Sequence, residues 1–506
     1  MNTIRTLALT SVAALISGTV VHAANLPVKA KAVEYVKACS LYGAGFYFIP
    51  GTDTCIKIGG SVRLDTTFNG GVYNAPYWQG GAGGNDLWTK DYFYSRSRIN
   101  LSEDTRTATE YGVLRTFANV QMQWSQNVDS SGSSGYLGVD YAFIQFAGFT
   151  IGKAVSQFDP QWTLSRPTIS SGMNQGSNDA TGIQQIAYTA TFGNGLSASV
   201  SVENAYAFRN AGVYNTANYL VGPGAGSFLT ANYGVSSNTF LGNATGGDHI
   251  PDVVANVRLD QAWGSLHFAT AFHNSTTGFY GSNESTGHPE DSLGYAFSGA
   301  AEFKNLPTGT NDSFKIEAAY GKGAAKYVFG GTTDTSGGGR YAKFDGSTLG
   351  FGYILDGVFG AGTGVQQSTA WEVSAYYEHY WDNKWRTSLF GNYSHISYGA
   401  AGDALLFSAF NSGRLGYSTS TGSATAGTLN ANGSFDLGLV QIGTRTAWTP
   451  VQNLTLSAEF SYSHLGQDLN GTYTSTASGV TSKAAQTYQL KDQNLYNGSV
   501  QILRSF

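Results

Sequence analysis

The chain has 506 residues, a formal charge of −5 and only 12% charged residues, beside 66 glycines and 31 tyrosines. An ordinary soluble domain carries roughly 25% charge. This balance argues against a nucleic-acid binder and against a conventional water-facing globule, and no Pro-rich hinge or charge run divides the chain into separate domains.

The first element is a leader. Arg5 precedes an apolar stretch from Leu7 to Val21, and Val21-His22-Ala23 closes it with a small-residue cleavage pattern, so residues 1–23 read as a secretory signal peptide. Thr10, Ser11 and Ser17 interrupt the stretch, which is too short to serve comfortably as a membrane anchor. The mature chain, 24–506, then has 27 basic residues (28 less Arg5) against 33 acidic, a formal charge of −6. Beyond residue 24 no run of about 18 apolar residues occurs, which excludes a helical membrane span.

Residues 24–38 alternate only partly and read as a periplasmic segment or a short strand. Next come Cys39 and Cys55, the only cysteines, expected to form a disulfide in an exported protein. Closing that loop would stabilise the fold by about 3 kcal/mol in the chain-entropy model. Two free thiols, or a metal site with no histidine at ligand spacing, fit less well.

A two-residue period then takes over. In 55–68 Ile56, Ile58, Val62, Leu64 and Phe68 alternate with Lys57, Ser61, Arg63, Asp65 and Thr67, which predicts a strand with one apolar and one polar face. In 94–107 Arg96, Arg98, Asn100 and Ser102 oppose Ile99 and Leu101, and Arg106 shares the arginine parity. The next strand sets Leu114, Ala118, Val120, Met122 and Trp124 against Arg115, Asn119, Gln121 and Gln123. A hairpin is predicted over 184–203, turning at Gly193-Asn194-Gly195, with Ile186, Tyr188, Ala190 and Phe192 facing the same way as Leu196, Ala198, Val200 and Val202. Val253, Ala255, Val257 and Leu259 pair with Leu266, Phe268 and Phe272 across Trp263-Gly264, and Leu454 to Tyr462 repeat the pattern.

Alternation alone allows a soluble β-sandwich with the apolar faces packed together. The low charge, the aromatic excess and the Ser, Thr, Asn, Gln and Gly content of the polar faces favour the inverse: a transmembrane antiparallel β-barrel, apolar outside and polar within. Short turns fall near Thr107–Glu110, 193–195, 261–264, 381–384 and 449–453, and long Gly/Ser/Asn/Thr-rich loops near 210–250, 328–347 and 400–434. At about 30 residues per strand with its share of turns, the mature chain gives about 16 strands, a size that leaves an aqueous channel. Tyr496, Val500, Ile502 and Phe506 share one face of the last strand, a pattern suited to recognition by outer-membrane assembly machinery.

The stretches "LPVKAKAVEYVKACSLYGAGFYFIPGTDTCIKIGG" (26–60), "DTRTATEYGVLRTFANVQ" (104–121), "YAFIQFAGFTIGK" (141–153) and the closing "LRSF" resemble the alphaproteobacterial porin family, general diffusion porins of the Gram-negative outer membrane. The resemblance implies a homotrimer among outer-membrane lipids and lipopolysaccharide, with passive diffusion of small hydrophilic solutes and ions through each barrel. It also implies an inward-folded constriction loop after "FTIGK", here about 154–182, with Asp159 and Asp179 as its acids. Lys57, Arg63, Arg96, Arg98 and Arg115 would line the facing wall, since an arginine turned to lipid at mid-depth costs about 2–4 kcal/mol. Their other role would be to pair with Asp65, Glu103, Asp104 or Glu110 and stiffen the wall; for Arg106, beside its turn, that role is expected.

The eight histidines, His267 and His273 among them, form no HExxH pattern and read as solvated lining residues; no metal or cofactor is expected. There is no GxSxG elbow or phosphate-binding loop, and no enzymatic activity is expected. The remaining readings are a substrate-selective outer-membrane channel and a secreted β-rich adhesin.

Overall fold

A computed structural model describes residues 37–71, 78, 88, 91–126, 136–169, 176, 181–204, 211–217, 244–281, 283–330, 340–409, 417–418, 424–425, 428–474 and 484–506. The leader, residues 24–36 and Asp179 lie outside the described residues.

Sixteen long strands form one closed antiparallel wall: β1 Thr54–Phe68, β2 Phe93–Thr109, β3 Gly112–Ser125, β4 Tyr136–Phe146, β5 Phe149–Ala154, β6 Ile183–Gly193, β7 Leu196–Glu203 and β8 Asp252–Gln261 make its first half. The second half is β9 Gly264–Ser275, β10 Ser292–Lys304, β11 Ser313–Lys322, β12 Thr369–Tyr380, β13 Trp385–Ser397, β14 Leu437–Val451, β15 Leu454–Gln467 and β16 Gln493–Ser505. Each strand pairs with the next in sequence, and β16 closes on β1 through Ser61↔Ser505 to Phe68↔Gly498. Closure leaves no open edge, so the long strands satisfy each other's backbone groups.

The parity expected from the sequence holds. Ile58, Leu64, Ile99, Leu101, Val200, Val257, Phe268, Phe297 and Ile442 are exposed outside, whereas Asp65, Arg96, Gln121, Gln123, Ser201 and Gln441 are buried inside. In aqueous terms the protein is inside out, the arrangement a bilayer requires. An arginine at Val200, half exposed on the outer wall, is expected to cost about 2–4 kcal/mol, whereas one at the neighbouring inward Ser199 is tolerated. Heat-modified gel migration of folded V200R and S199R barrels measures the difference, and equal losses would contradict the face assignment.

One end of the barrel is made of tight turns. At 193–195 the Asn194 and Gly195 φ angles are 51° and 78°, the left-handed pair a two-residue hairpin turn needs, and a Cβ on Gly195 would collide with the Asp260 carbonyl oxygen. The 305–312 turn is tied by Asp312, which accepts from His379 Nδ1 at 2.7 Å, Thr308 Oγ1 at 2.7 Å, Tyr380 N at 2.9 Å and Tyr377 OH at 3.1 Å. Burial acts to raise this carboxyl, and the four donors outweigh it, holding it down at about 2. At the same end Cys39 and Cys55 form the expected disulfide, buried with Phe46 beneath Tyr42 and Phe48.

At the other end the long Gly/Ser/Asn/Thr-rich loops carry secondary structure of their own. Residues Arg340–Asp345 and Thr348–Tyr353 pair with Thr487–Leu490, Asn470–Thr474 and Thr428–Asn432 in a five-stranded sheet, and Leu355–Phe359 runs parallel to Gly212–Asn215. With the helix Gly399–Ala409 these segments enclose a dry core that includes Leu349, Phe351, Tyr353, Val358, Leu406 and Phe435, each at most 3% exposed. Glycine and serine tracts hid this because the apolar residues are spread over four connections, none of which has a strong period of its own.

Candidate functional site

In the connection between β5 and β6, residues 155–169 do not rise away from the barrel. They turn inward and run along the inner wall. Ser156 Oγ and Gln157 N donate to Glu203 of β7 at 2.7 and 2.8 Å, and Asn256 Nδ2 of β8 donates to the Gln157 carbonyl at 2.6 Å. Further on, Lys315 Nζ of β11 donates to the Ser165 carbonyl at 2.6 Å, and the Arg166 guanidinium stands 4.0 Å from Glu317. At the far side Ile169 N donates to Glu459 of β15, and Arg63 Nη2 of β1 donates to the Ile169 carbonyl at 3.1 Å. The segment therefore follows the inner wall from β7 by way of β8, β11 and β15 to β1.

Two aromatic anchors fix it. Phe158 is fully buried against Tyr327, ring centroids 4.7 Å apart, in a recess formed by Val254, Ala269, Ala271 and Ala296. Trp162 fills a second recess with Ala300, Tyr376 and Phe390. The sequence signal that could have located both is the run of alanines at 269, 271, 296 and 300, on a face otherwise given to polar residues. Small side chains there leave the volume the anchors occupy. Gly176, φ 57°, lies close by, where a Cβ would come within 2.8 Å of Asp159 Oδ1 and 3.3 Å of Glu317 Oε1.

The six cations of β1–β3 all face inward, in two groups. Lys57 and Arg115 lie toward the tight-turn end beside Arg106, whereas Arg63, Arg96 and Arg98 stand where Ile169 meets the wall. Asp65 accepts from Arg63 Nε at 2.8 Å and Arg96 Nε at 2.9 Å; Asp104 accepts from Arg106 Nη2 and Arg115 Nη2, both at 2.9 Å. Arg98 Nε donates to Gln123 at 2.8 Å. Glu103 lies at odd parity, facing outward across from Ile58 and Ala118, and so takes no part. Arg115 also stacks on Phe117 and Phe143, and Arg106 on Phe46, which fixes the guanidinium planes.

Asp159 sits on the other side. It is 4% exposed, beside Gly176 and near Glu317 of β11, which stands nearly opposite β1 and β2 in a ring of sixteen strands. Glu317 and Glu372 are buried behind the inward segment.

His273 and His267 depart from the expectation of solvated lining residues: both are at most 4% exposed. His273 Nδ1 meets Asp252 Oδ1 at 2.7 Å, and the other Asp252 oxygen accepts from Lys326 Nζ at 2.8 Å and Tyr327 OH at 2.5 Å. Burial, then the carboxylates Asp252 and Glu203, push the Tyr327 hydroxyl well above its ordinary value, so it keeps its proton and remains a donor. This knot ties the 323–368 connection to β8 and β9.

Against this geometry the comparisons are consistent. A family model described as porin subfamily matches residues 25–499. Porin Omp2b of Brucella canis and of Brucella suis are each 29% identical over 280 residues, a match that spans 53% of this chain and 66% of those relatives' own length. The crystal structure of the outer membrane channel DcaP of Acinetobacter baumannii is similar in fold, with a TM-score of 0.57 and 14% identity over 91% of this chain and 99% of that one.

Proposed function

The chain belongs to the porin subfamily of the Gram-negative outer membrane, and we propose from that premise that it is a passive diffusion channel for small hydrophilic solutes and ions. The observation that carries the proposal is the inward segment from Phe158 to Ile169, anchored to the inner wall of a closed barrel of sixteen strands. A barrel of this size without an inward segment leaves a wide aqueous lumen; with it, the solute path narrows to the space beside Arg63 and Arg98, with Arg96 buried behind them. The segment acts as the constriction loop expected over 154–182.

Guanidiniums on β1–β3 and the carboxyls of Asp159, Glu317 and Glu372 on the far wall set a field across this narrowing. Water ordered in such a field disfavours apolar solutes. Lys57 and Arg115 line the lumen closer to the periplasmic mouth, and the folded connections roof the outer one. The protein enters this setting through cleavage of residues 1–23 and through assembly machinery that reads the strand ending in Phe506, and it lies among lipids and lipopolysaccharide.

A homotrimer fits the outer surface. Over β1–β3 that surface carries Ser95, Ser97, Thr105, Thr107 and Thr116 among its apolar residues, with Thr54 Oγ1 and Thr107 Oγ1 2.8 Å apart. Hydroxyls bonded among themselves suit a protein neighbour better than lipid.

Purified protein in a planar bilayer is expected to give stepwise, ohmic conductance, and Arg98→Ala to raise the relative conductance of cations. A protein that inserts without conducting would overturn the channel reading. An unchanged reversal potential in the variant would assign Arg98 to wall structure.

A further inference from the structure

The inner wall of β1–β3 holds six cationic side chains, Lys57, Arg63, Arg96, Arg98, Arg106 and Arg115, and only two carboxylates, Asp65 and Asp104. We propose that this wall is a track for small anions, built from two stations in which one carboxylate holds two arginines, and that it makes the channel prefer anions to cations. The inference rests on the channel reading above and adds to it the charge of the favoured solutes.

Three observations carry it. The first is stoichiometry: at each station the carboxylate neutralises one of its two guanidiniums, leaving one positive charge in excess. The second is exposure. Arg63 is 21% exposed while Asp65 and Arg96 behind it are 1% and 3%, and Arg106 and Arg115 are 29% and 28% exposed while Asp104 is 13%. A solute in the lumen therefore meets guanidinium first. The carboxylates lie behind, where they orient their partners: Asp104 takes Arg106 with both oxygens at 3.1 and 2.9 Å and Arg115 with both at 3.0 and 2.9 Å.

The third observation is the opposite wall. Its acids do not offer a matching cation path, because Asp159 of the inward segment and Glu203, Glu317 and Glu372 beneath it are at most 4% exposed. Farther round, on β10–β15, Glu302, Glu378 and Glu459 are met by Lys304, Lys315, Arg386 and Arg445, so that region is not acidic either. Asp140 of β4 is faced by Arg98 and Lys153, and Asp260 of β8 is met by Arg258 at 2.7 Å, so what these walls leave open to a passing ion is mostly positive.

The spacing suits conduction rather than capture. Arg96 at the upper station and Asp104 at the lower are eight residues apart on one strand, about 26 Å at the usual rise, and Arg98 lies between them. Two shallow sites in series let an anion enter and leave, whereas one deep site would hold it.

The test is reversal potential under a tenfold KCl gradient in planar bilayers, with chloride as the probe anion. The native protein is expected to pass chloride more readily than potassium. Arg115→Gln should lower the chloride-to-potassium permeability ratio roughly two- to threefold, the effect of one unit charge acting through several ångströms of water. Asp104→Asn should raise the ratio. Opposite signs at one station are the signature of charge, because a purely structural pair would shift the ratio the same way, or not at all, in both variants. Should R115Q not assemble, Arg63→Gln reads the same sign at the upper station. A native channel that prefers potassium, or equal shifts in R115Q and D104N, overturns the proposal and leaves the channel reading standing; absence of any conductance would instead overturn the channel reading.

Discussion

Replacing Phe158 by alanine is expected to lose about 3–5 kcal/mol of packing at the root of the inward segment, the usual range for emptying a buried aromatic site. The ring is fully buried and its recess of Val254 and alanines cannot collapse, because those residues belong to a hydrogen-bonded wall. The barrel itself should survive, since its strands do not depend on the ring. The consequence should fall on the segment, which would keep its polar tethers at Glu203 and Arg63 but lose the wedge that holds it down. Single-channel recordings of F158A are expected to show larger and more variable steps than the native protein, with heat-modified gel migration of the barrel retained. Native-sized, quiet steps would mean that the polar tethers alone set the constriction.

The second large effect is at Asp252. Its two oxygens serve His273, Lys326 and Tyr327, all at most 2% exposed. Asp252→Ala leaves a buried ammonium and imidazole without their shared partner, and breaking a buried ion pair from one side costs about 3–5 kcal/mol. Asp356, 3.4 Å from His273 Nε2, recovers part of that cost but does not reach all three groups. The 323–368 connection is expected to detach from β8 and β9, so protease should cut D252A within that connection at concentrations that leave the native protein whole. Resistance equal to the native protein's would show that the apolar core of the roof, rather than the ionic knot, holds this connection. Because Tyr327 touches both Phe158 and Asp252, the double variant F158A/D252A is expected to lose less than the two single losses combined.

The two sites explain why part of this protein was legible in one dimension and part was not. Period-two alternation is a local property: once Ile99 and Leu101 share a side, Arg96, Arg98 and Arg106 must share the other, whatever the rest of the chain does. From that parity follow the closed barrel, the approximate strand number, the tight turns and the direction of the arginines. The disulfide followed as directly, from two cysteines in an exported chain.

Depth and partnership are different. Ile169 is held by Glu459, 290 residues away, and by Arg63, 106 residues away; nothing in the spacing of any strand specifies either. Among the carboxylates near the arginines, the alternation already sets Glu103 beside Ile99 and Leu101 and Asp104 beside the arginines, but only the register brings Arg115 of the next strand onto Asp104 as well as Arg106. His267 and His273 lost their water only because connections from elsewhere fold over them. The sequence alone determined which side of each strand is wet, since side chains of consecutive residues in a strand must point opposite ways. Only the tertiary structure decided what that wet side touches, because the segments folded against the inner wall are placed by apolar anchors and buried charges whose partners lie on distant strands.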